Sequence, residues 1–216
     1  LPEADTVKYT IDKADVNLTL SAPDADYGGS ATFTATAPAT ATGAVIFFGN
    51  GTLLGQANLS GGSASIQYNM AGGLFAAGSN TITAEYAGDN NYNAAATAGT
   101  TFTLHPKSIS GAAIDAISSQ TFTGSPITPA VTVKDGSAAL VSGTDYTVSY
   151  SNNTNAGTAA VTVTGVGRYS GTVQKSFTIA PKDVGSANAE ASVVYSDTAA
   201  RTVSIADAVK SLRAGS

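Results

Sequence analysis

Ala31-Thr32-Phe33-Thr34-Ala35-Thr36-Ala37 sets an apolar side chain at every odd position and a threonine at every even one. A period of two sends alternate side chains to opposite faces of an extended chain, so this run predicts a strand with one face in a core and the other in water. The same period recurs outward along the chain. Ile82, Ala84 and Tyr86 alternate with Thr81, Thr83 and Glu85; Tyr146, Val148 and Tyr150 alternate with Thr147 and Ser149; Val161 and Val163 alternate with Thr162 and Thr164. Gly49-Asn50-Gly51, Gly61-Gly62, Gly88-Asp89-Asn90-Asn91, Asp135-Gly136, Asn155-Ala156-Gly157 and Gly165-Val166-Gly167 punctuate the strands. Asn-Gly and Asp-Gly supply the positive φ angles of tight hairpins. Many short alternating strands joined by such turns predict an all-β chain of antiparallel β-sandwiches.

Composition agrees with this architecture and removes several chemistries. Only 12% of the 216 residues are charged, against roughly 25% in an average soluble domain. Threonine on the wet faces, β-branched and suited to extended backbone, explains how so few charges suffice. With no cysteine there are no disulfides, thiolate nucleophiles or zinc–thiolate sites. No apolar run approaches the roughly 20 residues of a membrane span. The opening Leu1-Pro2-Glu3-Ala4-Asp5 is no signal peptide, so neither membrane insertion nor a leader is expected in this piece. Without tryptophan or an arginine cluster, and at a net charge of −5, a nucleic-acid partner is not expected.

Three segments align without a gap: Tyr9-Thr10-Ile11-Asp12-Lys13-Ala14-Asp15-Val16, Phe102-Thr103-Leu104-His105-Pro106-Lys107-Ser108-Ile109 and Phe177-Thr178-Ile179-Ala180-Pro181-Lys182-Asp183-Val184. Each reads as a last strand leaving its sheet at a polar linker, which proline stiffens in two of the three. These seams divide the chain into a last strand or linker of a preceding module (1–12), a complete module (13–105), a second complete module (106–180) and an incomplete third (181–216). Charge is uneven across them: residues 13–105 carry −4 and residues 106–180 carry +1. One stretch has helical spacing, with Ile205, Ala208, Val209 and Leu212 on one face, Ser204 and Asp207 as a capping box, and Gly215 as a stop. A short helix is therefore expected only near the C-terminus, over 204–213.

Residues 13–105 resemble the third group of bacterial immunoglobulin (Ig)-like domains. The resemblance rests on Tyr27-Gly28-Gly29-Ser30-Ala31-Thr32-Phe33, on Gly43-Ala44-Val45-Ile46-Phe47-Phe48-Gly49-Asn50-Gly51, and on Ala77-Gly78-Ser79-Asn80 through Gly88-Asp89-Asn90-Asn91-Tyr92. The longer connection Met70-Ala71-Gly72-Gly73-Leu74-Phe75 departs from that pattern. Residues 106–180 resemble a repeat of large Gram-positive surface proteins, through Phe122-Thr123-Gly124, Gly143-Thr144-Asp145-Tyr146 onward, and Gly165-Val166-Gly167-Arg168-Tyr169-Ser170-Gly171. Val194-Tyr195-Ser196 and Ala200-Arg201-Thr202-Val203 look like the opening of another. The resemblance implies tandem Ig-like β-sandwiches in a longer secreted or cell-surface bacterial protein, without catalysis, serving as a spacer or adhesive stalk.

Catalytic residues are not expected. His105, the single histidine, falls in a seam away from any serine or aspartate partner, and reads as a solvated linker residue. Asp115, Asp135 and Asp145 sit in turn contexts where aspartate serves its own backbone. The glycines of 165–171 precede a strand and not the helix a phosphate loop requires. No cofactor is expected, and Ca²⁺ is the one ion with candidate ligands: Asp24 and Asp26 before Gly28-Gly29, and Asp89 in another loop of the same acidic module. A lysine–asparagine crosslink lacks its residues, since the segments 97–104 and 172–179 hold neither Asn nor Asp. The nine tyrosines fall mostly on apolar phases, as core more than as a glycan platform. The expected role is a non-catalytic structural or adhesive module, a monomeric rod within a longer chain whose partner is an unknown extracellular protein or glycan. Alternatives are a ligand-binding adhesin, with or without Ca²⁺, and accessory domains of a secreted carbohydrate-active enzyme.

Overall fold

The computed structural model describes residues 9–183; the helix expected over 204–213 lies outside them. Among the described residues all regular structure is strand, as the alternation requires. In the first sandwich these are β1 (Thr19–Ser21), β2 (Ala25–Asp26), β3 (Ser30–Thr36), β4 (Ala44–Gly49), β5 (Thr52–Asn58), β6 (Ser63–Asn69), β7 (Gly78–Tyr86), β8 (Ala95–Ala96) and β9 (Thr100–His105). The second holds β10 (Lys107–Ser108), β11 (Ala113–Ile114), β12 (Gln120–Thr121), β13 (Val133–Asp135), β14 (Ala138–Ala139), β15 (Tyr146–Ser151), β16 (Gly157–Gly165), β17 (Tyr169–Ser170) and β18 (Thr172–Ala180).

In the first sandwich a sheet ordered β1-β3-β6 faces one ordered β2-β9-β7-β4-β5, with β8 added on β7. The alternation read in the sequence is the burial pattern of the strands. Ala31, Phe33 and Ala35 of β3 and Ile82, Ala84 and Tyr86 of β7 are buried, while the intervening threonines are not. Phe33 packs 5.4 Å from the Phe102 ring and 6.4 Å from that of Phe75, and Phe75 meets Phe102 edge-on at 5.1 Å. Phe75 and Met70, both fully buried, come from the long connection 70–77, so this loop is part of the core. Asn80 takes an inward position on β7 and is the one buried polar residue described. Its Nδ2 donates to the carbonyls of Ala76 and Gly78, and its Oδ1 accepts from Asn50 Nδ2. That satisfies the amide and ties the Asn50-Gly51 hairpin to the neighbouring strand.

The second sandwich has a four-stranded sheet, β12-β18-β16-β15, against a short one, β11-β13-β14. Its core falls into two clusters. One joins Ile109, Ile114, Val133, Leu140, Tyr146, Val163 and Tyr169; a smaller one joins Ala159, Phe177 and Ile179. Here the alternation holds only in part. Tyr146 is buried, yet Val148 on the same phase of β15 is exposed, because β15 is an edge strand and the facing strands are too short to cover its middle.

Parallel pairs bind each sandwich's closing strand: β2 with β9 and β12 with β18. In both, the residue after the short strand donates its amide to the end of the long one, Tyr27 to His105 O at 2.9 Å and Phe122 to Ala180 O at 2.8 Å. The chain enters the first sandwich beside residues 91–93, where Ala14 N donates to Asn91 O, and leaves it at the opposite end through His105.

Candidate functional site

The three candidate calcium ligands are not brought together. Gly78 pairs with Leu104 at one end of β7, while Asp89 follows Tyr86 at the other end. Asp24 precedes β2 and Asp26 lies within it, in register with His105. The eight residues of rise between Gly78 and Tyr86 separate these ends by roughly 27 Å.

Asp24 and Asp89 also have occupants for their oxygens. Asp24 Oδ1 accepts from the Thr103 amide at 2.6 Å, and its Oδ2 lies 3.9 Å from His105 Nε2. Asp89 Oδ2 accepts from Thr42 N at 2.8 Å and Thr42 Oγ1 at 3.0 Å, and Oδ1 from the amides of Asn91 and Tyr92, both at 2.8 Å. Four donors aimed at one carboxylate make it a loop staple. The Thr42 amide first, then the Asn91 amide and the Thr42 hydroxyl, hold the Asp89 carboxyl well below the usual carboxylate range. The Tyr86 hydroxyl is buried beside this carboxylate without meeting hydrogen-bond geometry; burial first, then Asp89, pushes its pKa up. Among the described residues no three His, Cys, Asp or Glu side chains gather in a way that could hold a metal ion.

A pH dependence follows from Asp89. Its folded pKa lies below the reference value of 3.8, so its contribution to stability is fully present above about pH 5 and is lost as acid titrates the carboxylate through its folded pKa. Asp89→Asn puts an amide donor against Thr42 N or the Asn91 and Tyr92 amides. It is expected to lower the melting temperature at pH 7 and to flatten the fall between pH 5 and pH 2. Parallel acid limbs for the two proteins in a melting series would refute the assignment.

The remaining sequence candidates resolve into structure. His105 is exposed at the seam and its carbonyl receives the Tyr27 amide. The glycine-rich 165–171 segment connects β16 to β17 and β18, with no helix after it. Tyr86, Tyr146 and Tyr169 are buried, and the Tyr146 and Tyr150 hydroxyls donate to the Val131 and Pro129 carbonyls. Open concavities among the described residues include a shallow apolar hollow of about 420 Å³ along Ile46, Glu85 and Ala94–Ala96, and a polar one of about 350 Å³ in the Asn152–Thr158 hairpin.

A cluster of specific contacts lies where the two sandwiches meet, and only parts of it were legible in the sequence. Tyr27, on the turn after β2, meets Tyr169 of the second sandwich edge-on, with centroids 5.5 Å apart at 78°. The Arg168 guanidinium lies 5.5 Å over the Tyr27 ring, and its Nη2 donates to Gly73 O of the 70–77 loop at 2.8 Å. Lys107 Nζ meets Asp135 at 2.6 Å, and β10 runs parallel to β17, so the linker itself is a strand of the second sandwich. Burial first, then the nearby Tyr27 and Asp135, pushes the Tyr169 phenol up to about 12. Arg168 is the only arginine among the described residues; its place in an otherwise small and apolar turn was the available signal.

Comparison with known proteins bears on the first sandwich. Residues 18–105 match a protein-family model described as bacterial Ig-like domain (group 3). Among solved structures, similarity is found to a titin A168–A169 fragment, at 13% identity and TM-score 0.43, covering 78% of this chain and 99% of that one. Titin tandem Ig domains A164–A165 give 13% identity and TM-score 0.36, covering 77% and 96%. The fibronectin(III)-like modules of Clostridium thermocellum CbhA give 12% identity and TM-score 0.32, covering 76% and 94%. No curated protein sequence matches the chain.

Proposed function

We propose, starting from the match of residues 18–105 to bacterial Ig-like domains, that the chain is a non-catalytic spacer in a bacterial cell-surface or secreted protein. In this reading it is a run of Ig-like sandwiches that holds a binding region at a fixed distance. The observation that carries it is the seam. The linker pairs as β10, with Lys107 tied to Asp135 inside the second sandwich, while Tyr27 and Arg168 bridge the two sandwiches; these contacts restrict hinge motion, as a spacer requires. Asp24 and Asp89 support the same reading, since their oxygens are engaged by the protein's own amides. No helix of the described residues is long and apolar enough to cross a membrane.

A second reading, recognition of a host glycan or protein, is favoured by the polar hollow of residues 152–158. Asparagine, threonine and backbone groups there could read a hydroxylated ligand. An array of glycans and extracellular-matrix proteins probed with this chain, with and without EDTA, distinguishes them. The spacer reading expects no saturable signal in either condition; saturable binding abolished by Asn152→Ala and Asn155→Ala would replace it with the adhesin reading. EDTA sensitivity would make that binding Ca²⁺-dependent.

A further inference from the structure

The second sandwich has a small core for a folded unit. Its two clusters are separate, and the sheet facing β16 is built of strands two or three residues long. A domain this short buries a modest fraction of its surface and sits near the margin of stability. Tyr27 of the first sandwich packs directly against the larger cluster. Its ring covers Tyr169 edge-on and is capped by Arg168, which is held in place from the first sandwich by Gly73 O. The Tyr27 backbone is in turn fixed by its amide bond to His105 O and by the β2–β9 pairing. The aromatic turn is therefore presented rigidly by one sandwich and consumed by the other.

We propose that the end of the second sandwich formed by Ile109, Arg168 and Tyr169 is a docking surface whose occupant is the Tyr27-Gly28-Gly29 turn, and that residues 107–180 keep their stable fold only while that turn is seated. The direction is one-way. The first sandwich has its own continuous core of sixteen buried residues, none from the second, so it folds without its neighbour. The second borrows a ring, and removing that ring exposes Tyr169 and leaves Arg168 with one fewer partner. Edge-on aromatic pairs and cation–π contacts each stabilise beyond the area they bury, enough to matter to a sandwich of this size. This inference concerns the seam alone and stands or falls independently of whether the chain is a spacer.

Hydrogen exchange on the full chain tests it. Tyr27→Ala is expected to speed exchange of the β16 amides about tenfold or more, while β3 and β4 stay within about twofold of wild type. Tyr27→Phe, which keeps the ring, is expected to behave like wild type. Arg168→Ala, which leaves the first sandwich's own contacts intact, is expected to speed β16 severalfold and serves if Tyr27→Ala does not fold. Unchanged β16 exchange in Tyr27→Ala, or in Arg168→Ala where only that variant folds, would overturn the proposal. So would an equal rise in β3 and β4, since Tyr27 would then be a prop of its own sandwich.

Discussion

Phe75→Ala is expected to destabilise the first sandwich by about 3–5 kcal/mol, the cost of emptying a buried phenylalanine site that cannot collapse. The site is closed on every side. Phe33, Tyr68 and Phe102 present rings to Phe75 at centroid distances of 6.4, 5.3 and 5.1 Å. The strand opposite approaches so closely that a Cβ added at Gly49 would lie 2.5 Å from the Phe75 Cζ. The flanking rings sit on strands held in register by their ladders and cannot slide into the void, so it would persist. For a domain of this size the loss lowers the melting temperature by more than about 10 °C. With no tryptophan in the chain, far-ultraviolet circular dichroism or calorimetry is the appropriate probe. A loss under about 1 kcal/mol would mean that the 70–77 loop packs on the sandwich without belonging to it. A companion cycle adds specificity: Gly49→Ala alone must displace the ring, whereas in the Phe75→Ala background it partly refills the void, so the pair is expected to be less harmful than the sum of its parts.

Gly88→Ala is the second large expected effect, at roughly 2–5 kcal/mol when left-handed strain and a forced backbone shift are combined. Gly88 sits at φ +83°, and a Cβ there would lie 2.8 Å from Tyr92 O, 2.9 Å from Ala94 N and 3.0 Å from Asn93 C. All three are backbone atoms, which cannot rotate aside as a side chain would. Moving them opens the Asp89 N to Tyr92 O bond and pulls the Asn91 and Tyr92 amides away from the Asp89 carboxylate. Gly51→Ala is the matched control, at φ +80° with nothing within 4 Å of the added atom; it carries the strain alone, about 1–2 kcal/mol. Equal losses for the two in denaturant titrations would show that close approach at Gly88 is not the cause.

The strands that bury one full face were readable from their residues. In β3 and β7 the period of two and the burial are the same pattern, because each lies between neighbours and faces a complete second sheet. Where that condition fails the reading fails with it: Val148 has the right phase on an edge strand with little opposite it. Two-residue strands such as β2 and β12 are too short to carry a period at all, and they are defined by the partner they join. The acids illustrate a different gap. Asp24, Asp26 and Asp89 read from the sequence as neighbours of turns, but a sequence does not say at which end of a sheet a turn lies, and these lie at opposite ends. Phe75 and Met70 looked like an interruption of a family pattern and proved to be core, since an apolar pair in a long loop has no periodicity to reveal its inward direction. Tyr27 and Arg168 both belong to motifs that carry the family resemblances, yet their meeting depends on the fold of two sandwiches and could not be seen from either alone.

The parallel pairing of β2 with β9 and of β12 with β18 has a mechanical consequence. In each sandwich a strand near the start of the fold lies alongside the strand that leaves it, both running the same way. Tension applied through the two ends then drags these neighbours past one another along their length. The ladder bonds, the Tyr27 and Phe122 amide latches and the Thr103 to Asp24 bond are loaded in shear and must yield together, where an antiparallel hairpin pulled from its open end would unzip one bond at a time.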